Sequence, residues 1–372
     1  MPTTLHPVFL LLAAIFTLTG LYVLHDRAPI LMPILLAASL AGIVVRCIQV
    51  ARERRRRRDS RAVIDFAALR QKDVSGWADW IKQNLRGHDD VVDRVMARLQ
   101  QNLGVASPHR TLGAFLLVGP TGTGKTFLAE LLAKVLHPNS EPVILRMNQY
   151  KDHQDVYTLL GPPPGQPGYE VGGALTRPVI VNPHRLIILD EFEKCHPDVK
   201  QCLYDVLDRG QSSEKSSGRT AHFGACAFIA TCNAGVESLR GLWSETGDPA
   251  LRSARARDVM AREGFEKALL ARFDDILLMD QLKAVDIAEI VCLQLAKHWR
   301  QYGIEVAYAA PELIAEALQR NREFQEYGVR QLARLIQDLT TPSIEAARKS
   351  GALRVRLDLD RATGRVLVTE AK

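Results

Sequence analysis

Two uncharged apolar runs open the chain, seventeen residues from Val8 to Leu24 and sixteen from Ile30 to Val45, separated by His25-Asp26-Arg27-Ala28-Pro29. At ~1.5 Å per residue each covers roughly 24–26 Å, a little short of a ~30 Å hydrocarbon core unless flanking residues snorkel or the bilayer thins. The pattern predicts a membrane hairpin of two transmembrane helices. The rival readings are a cleaved signal peptide for the first run and a buried core helix for the second. Against the first, residues 1–6 hold no Lys or Arg; against the second, arginines follow directly at Arg46, Arg52, Arg54, Arg55, Arg56, Arg57, Arg58 and Arg61. A polybasic segment after an apolar span stays on the cytoplasmic side. Both chain ends are therefore expected on the cytoplasmic face of an inner membrane.

Beyond Arg61 the pattern becomes globular. Val63, Phe66, Leu69, Trp77, Trp80, Ile81 and Leu85 recur at helical spacing around a Ser75-Gly76 break, predicting a linker and entry helix over 62–84. Asp89 or Asp90 is expected to cap the next helix. Three apolar segments read as buried strands: Leu116 to Val118, Leu186 to Leu189, and Ala225 to Cys232. A Leu- and Ala-rich helix is predicted from Phe127 to Leu136. After Asp280 helices dominate (Val285–Tyr302, Pro311–Arg320, Val329–Leu339, Pro342–Ser350), followed by strand-like runs Leu353–Leu357 and Gly364–Val368 around a turn at Asp360 to Gly364. The fold class is α/β, with a large subdomain over 85–279 and a mostly helical one over 280–372.

The chemistry lies at the ends of the strands. Gly119-Pro120-Thr121-Gly122-Thr123-Gly124-Lys125-Thr126 fits G-x-x-x-x-G-K-T, a loop whose glycines let backbone N–H groups approach a phosphate chain. Lys125 would reach the β- and γ-phosphates, Thr126 would offer its hydroxyl to Mg²⁺, and the following helix would point its positive end at the phosphates. A second strand ends in Asp190-Glu191, where Asp190 can hold Mg²⁺ and Glu191 can polarise the attacking water. ATP and Mg²⁺ are the expected cofactors.

Composition narrows the partners. The eight arginines, diluted by Glu53 and Asp59, carry a net +6, which equals the formal charge of the whole chain. The remainder is balanced, so no nucleic acid is expected as a partner, although an arginine-rich nucleic-acid arm is the alternative use of that segment. The six cysteines (Cys47, Cys195, Cys202, Cys226, Cys232, Cys292) form no C-x-x-C pair, which argues for a reducing compartment.

Several further stretches resemble a known family: Gly161-Pro162-Pro163-Pro164-Gly165, Gly168-Tyr169-Glu170-Val171-Gly172-Gly173, Leu189 through Val199, and Thr231-Cys232-Asn233-Ala234-Gly235. From about Leu85 onward the chain is similar to the AAA+ module of the Clp/ClpB unfoldases, specifically their second ring. The resemblance implies a P-loop AAA+ three-layer sandwich with a helical lid, a homo-oligomeric hexameric ring and a protein substrate. It also implies that Asn233 is sensor 1, Arg272 the arginine finger inserted into a neighbouring subunit's site, and Arg330 sensor 2. Two departures stand out. Where the family's first pore loop carries an aromatic residue between glycines, this chain has Gly165-Gln166-Pro167-Gly168. No Ile-Gly-Leu or Ile-Gly-Phe tripeptide lies between Gly235 and Phe265, so the Clp protease chamber is not expected as a partner. A second pore loop, polar and flexible, is expected over Ser212 to Gly218. The reading is a membrane-anchored ATPase that remodels or translocates a protein; its alternative is a nucleotide-gated structural component that threads nothing.

Overall fold

In the computed structural model, residues 64–245, 249–322, 329–360, 363 and 365–371 are described. The apolar runs and the arginine segment lie outside them, and among the described residues no helix is long and apolar enough to cross a membrane.

Alternation of side chains builds the core. Strands β1 (Gly113–Val118), β2 (Val143–Arg146), β3 (Leu186–Asp190), β6 (Ala227–Cys232) and β7 (Asp275–Leu278) form one parallel sheet in the order β2-β3-β6-β1-β7. Successive residues of a strand face opposite sides. Ala114, Leu116 and Val118 of β1 join Ile187, Leu189, Phe228 and Ala230 in one hydrophobic cluster, whereas Phe115 and Leu117 join Leu186, Ile188 and Ile229 in the other. Helices cover both faces, which is the sandwich expected of strands that are apolar throughout. The entry helices Phe66–Arg70 and Trp77–Asn84, with Asp89–Gly104 and Lys125–Leu136, pack on the second cluster. Pro197–Arg209 and Lys267–Leu270 pack on the first.

A third cluster, running from Val291 to Val366 and centred on the buried Trp299, belongs to the C-terminal part. There helices Ala284–Arg300, Pro311–Arg322 and Val329–Ser350 pack with strands β8 (Glu305–Ala309), β9 (Arg354–Asp360) and β10 (Arg365–Glu370), ordered β10-β9-β8.

Local readings changed in four places. The helix after the P-loop begins at Lys125, not Phe127. His88 occupies the N-cap position of the next-to-entry helix without a side-chain cap, leaving Asp89 and Asp90 inside its first turn. The two helices expected on either side of Pro342 are one, Val329–Ser350. Ile336, Thr340, Ile344 and Ala347 make a continuous buried stripe across the proline, and the Thr340 and Thr341 hydroxyls bond the Ile336 and Gln337 carbonyls one turn back. Finally, β2, β7 and β8 were not foreseen; β2 and β7 are the two edges of the central sheet, and β8 pairs in parallel with β9.

Candidate active site

At the C-terminal ends of β1, β3 and β6, where open α/β sheets bind ligands, the P-loop meets the carboxylates. Gly119 is fixed by crowding, since a Cβ there would lie 2.1 Å from the Met279 carbonyl oxygen. Gly122 and Gly124 have φ of 84° and 98°, the left-handed region that lets the loop turn into the helix starting at Lys125. Thr123 donates its hydroxyl to the Pro120 carbonyl at 3.1 Å, and its own carbonyl lies 3.0 Å from Nε2 of buried His88. Burial pushes His88 below the ordinary imidazole pKa, so the ring is a neutral donor holding the loop from behind.

Lys125 is only 7% exposed and donates to the carbonyls of Gly119 and Pro120, each at 2.7 Å, and to Oδ1 of Asn233 at 3.0 Å. All three acceptors are neutral. A buried ammonium with neutral partners, at the end of a glycine-rich loop that turns into a helix N-terminus, fits an anionic phosphate chain. Burial lowers its pKa to about 8, against the opposing pull of Glu193, Asp190 and Glu191. The sign follows: above pH 8 the free protein loses the charge that phosphate binding requires. ATP affinity should fall roughly tenfold between pH 7 and pH 9, with proton uptake on binding at the higher pH. Titration with a fluorescent ATP analogue checks this, and a flat profile refutes it.

Thr126 donates to Oδ1 of Asp190 at 3.1 Å, so the hydroxyl and carboxylate suited to Mg²⁺ are already adjacent. Thr231, the next-to-last residue of β6, was missed by sequence reasoning. Its hydroxyl donates to Asp190 at 2.7 Å and accepts the Glu191 N–H at 3.0 Å, so it sets both carboxyl-bearing residues. Glu191 has φ 56°, the one positive value at a non-glycine residue among those described. This left-handed backbone turns the chain sharply out of β3. Its carboxylate accepts from Asn148 at 2.7 Å and pairs with Lys194 at 3.0 Å. Asn148 was also missed. It lies just beyond β2, whose Arg146 is in register with Asp190, and only the strand order brings it there. Asn233 donates to Glu193 at 3.3 Å.

Lys125, Thr126, Asp190 and Asn233 thus converge, with Glu191 adjoining. Arg272 takes other partners: its Nε lies 2.5 Å from Asp208, its Nη2 donates to the Tyr204 hydroxyl at 3.0 Å, and its guanidinium lies over the Tyr204 ring. Arg330 is the second residue of the helix Val329–Ser350, and its side chain lies outside the described residues. The Ser212–Gly218 segment differs from its expected character. Ser212 and Ser213 belong to strand β4 (Gln211–Ser213), paired with β5 (Thr220–His222), and Glu214 is completely buried.

A parallel sheet with a phosphate-fitting loop and a carboxylate pair at its C-terminal edge is a P-loop nucleotide-binding core, and residues 110–276 match the AAA+ family described as AAA domain (Cdc48 subfamily). Within that family the domain is of the Clp/ClpB type. It is 36% identical over 289 residues to the protein named ATP-dependent Clp protease ATP-binding subunit ClpE of Lactococcus lactis subsp. lactis, covering 75% of this chain and 38% of that protein. To the chaperone protein ClpB of Propionibacterium freudenreichii subsp. shermanii it is 34% identical over 296 residues, 76% of this chain and 33% of that one. The chain matches well under half the length of these curated relatives.

Proposed function

We propose that this chain is a membrane-anchored AAA+ ATPase, assembled as a single ring, that uses ATP hydrolysis to remodel or translocate a protein partner at the cytoplasmic face of the membrane. The observation that carries the reading is the convergence of Lys125, Thr126, Asp190 and Asn233 beside Glu191. In this reading residues Gly119 to Gly124 wrap the phosphates and Lys125 contacts them. Thr126 and Asp190 would hold Mg²⁺, which would supply neutralisation of charge on the phosphates. Glu191 takes a proton from the attacking water, Asn233 orients that water, and Arg330 closes over the nucleotide from the lid. Arg272 serves the neighbouring subunit. Its pairing with Asp208 and Tyr204, away from the chain's own cluster, supports that assignment.

The membrane part rests on the apolar runs and arginines of the sequence. Reporters fused before Leu5 and after Ala371 should both register as cytoplasmic; recovery of the full-length protein in the soluble fraction after mild lysis would remove the anchor.

The structural-component reading is favoured by one observation. Gln166 and Pro167 are exposed at the tip of the loop between Gly161 and Gly173, where an aromatic ring would offer about 150–250 Å² of apolar contact. Gln offers little. The expected result is measurable ATPase with poor unfolding of a stable, tagged, unrelated substrate, and a gain in unfolding when Gln166→Tyr and Pro167→Val are combined. If the double replacement gains nothing while ATPase stays intact, the structural-component reading is the better one.

A further inference from the structure

We propose that Glu214 is a positioning residue that fastens two loops, 161–173 and 214–219, into one mechanical unit, so that displacement of either is carried by the other. The proposal rests on the reading above only in taking these loops to face a polypeptide; the fastening itself is a matter of contacts.

A fully buried carboxylate is costly unless its oxygens are satisfied. Glu214 is 0% exposed, and its partners come from both sides of a seam. From the end of the first loop, the Gly173 N–H donates to Oε1 at 3.1 Å, the Thr176 hydroxyl donates to the same oxygen at 3.5 Å, and Arg177 Nη1 lies 3.6 Å from Oε2. From its own turn, the Ser217 hydroxyl donates to Oε2. The backbone closes the same seam. The Lys215 N–H donates to the Leu160 carbonyl at 2.9 Å, and Ala174 and Leu175 donate to Thr158 and Leu159, closing the first loop at its base.

Glycines make the fit direct. A Cβ on Gly172 would stand 2.6 Å from Glu214 Oε1, and one on Gly161 would stand 2.7 Å from Ser216 Oγ. At the tips the situation reverses: added Cβ atoms at Gly165 and Gly218 would meet nothing within 4 Å, and Val171 is 76% exposed. Each loop therefore has a free tip on a base shared with the other. The second loop also continues from the helix Pro197–Arg209 through Gly210, whose carbonyl accepts the Phe223 N–H at 2.7 Å. That helix begins six residues after Glu191. One carboxylate thus hands any movement of this helix to both loops.

Hydrogen exchange on the full-length chain tests the seam through perturbations made on either side of it. Glu214→Gln keeps the shape and one acceptor but removes the charge, and should speed exchange on the order of tenfold both within 161–173 and at 215–219, leaving the β-sheet unchanged. Gly172→Ala, placed in the first loop, should speed exchange in the second. Should Glu214→Gln disturb folding, Ser217→Ala is the milder variant, expected to give a smaller change over the same two segments. Acceleration confined to the loop that carries the substitution overturns the proposal. A second arm adds fluorescein-labelled casein, an unstructured polypeptide, to the parental protein with an ATP analogue. Protection of both tips together supports the polypeptide role. Protection of neither, with the cross-loop response intact, rejects that role and leaves the seam standing.

Discussion

Glu191→Gln is expected to lower ATP turnover by ~10²–10⁴-fold while ATP binding stays near the parental level, the usual cost of removing a positioned general base. The amide keeps the side chain's size and can still accept from Asn148, which holds Oε2 at 2.7 Å, so the binding surface survives. What disappears is the ability to take a proton. The pairing with Lys194 at 3.0 Å weakens as well, but that lysine is about half exposed, and an exposed ion pair contributes about 0–1 kcal/mol. The chemical loss is several times larger, so the two effects separate cleanly. Lys125→Ala behaves differently: it deletes a buried ammonium from the phosphate cradle and weakens nucleotide binding itself. Phosphate release measured beside fluorescent-nucleotide binding distinguishes the two variants. A Glu191→Gln protein that hydrolyses ATP at the parental rate would mean that another group activates the water.

How much of this site could be read from the chain depended on how local the constraint was. The P-loop was legible because its glycines answer a requirement within eight residues: φ of 84° and 98° at Gly122 and Gly124, and a backbone approach at Gly119 that excludes a Cβ. The apolar strands were legible because burial on both faces suppresses alternation, and β1 and β6 are buried at every position. Asn148, Thr231 and His88 were not. Each acts across a distance in sequence: strand order brings Asn148 to Glu191 and Thr231 to Asp190 and Glu191, and the packing of the helix Asp89–Gly104 on the sheet brings its N-cap His88 to the Thr123 carbonyl. Glu214 was hidden for the same reason. In a run of serines, lysine and glycine it reads as a solvated turn, and its burial comes from a loop about forty residues upstream, where Gly161, Gly172, Gly173 and Thr176 close against it. The helix through Pro342 shows the opposite case, a strong local breaker overruled by a buried stripe four residues apart on either side.

Arg272→Ala should bind nucleotide normally and lose ~10³–10⁵-fold in turnover, the range that an arginine finger contributes. The magnitude discriminates between roles. In the folded chain Arg272 pairs with Asp208 and contacts Tyr204, each a partly exposed arrangement on the helix Pro197–Arg209. If that pairing were its whole purpose, the substitution would remove about 0–1 kcal/mol of stability and leave turnover within severalfold of parental. A thousandfold loss requires contact with the reacting phosphate, and since the chain's own Lys125–Asn233 cluster is not among its partners, the contact has to be made on a neighbour. Mixing supplies the decisive measurement. Subunits with Arg272→Ala retain an intact P-loop, and subunits with Lys125→Ala retain an intact finger, so rings holding both contain some interfaces with a complete site. Turnover should rise above that of either variant alone and vary with the mixing ratio. A mixed ring, verified by differential tagging, that stays as inactive as its components would exclude Arg272 as a group acting between subunits.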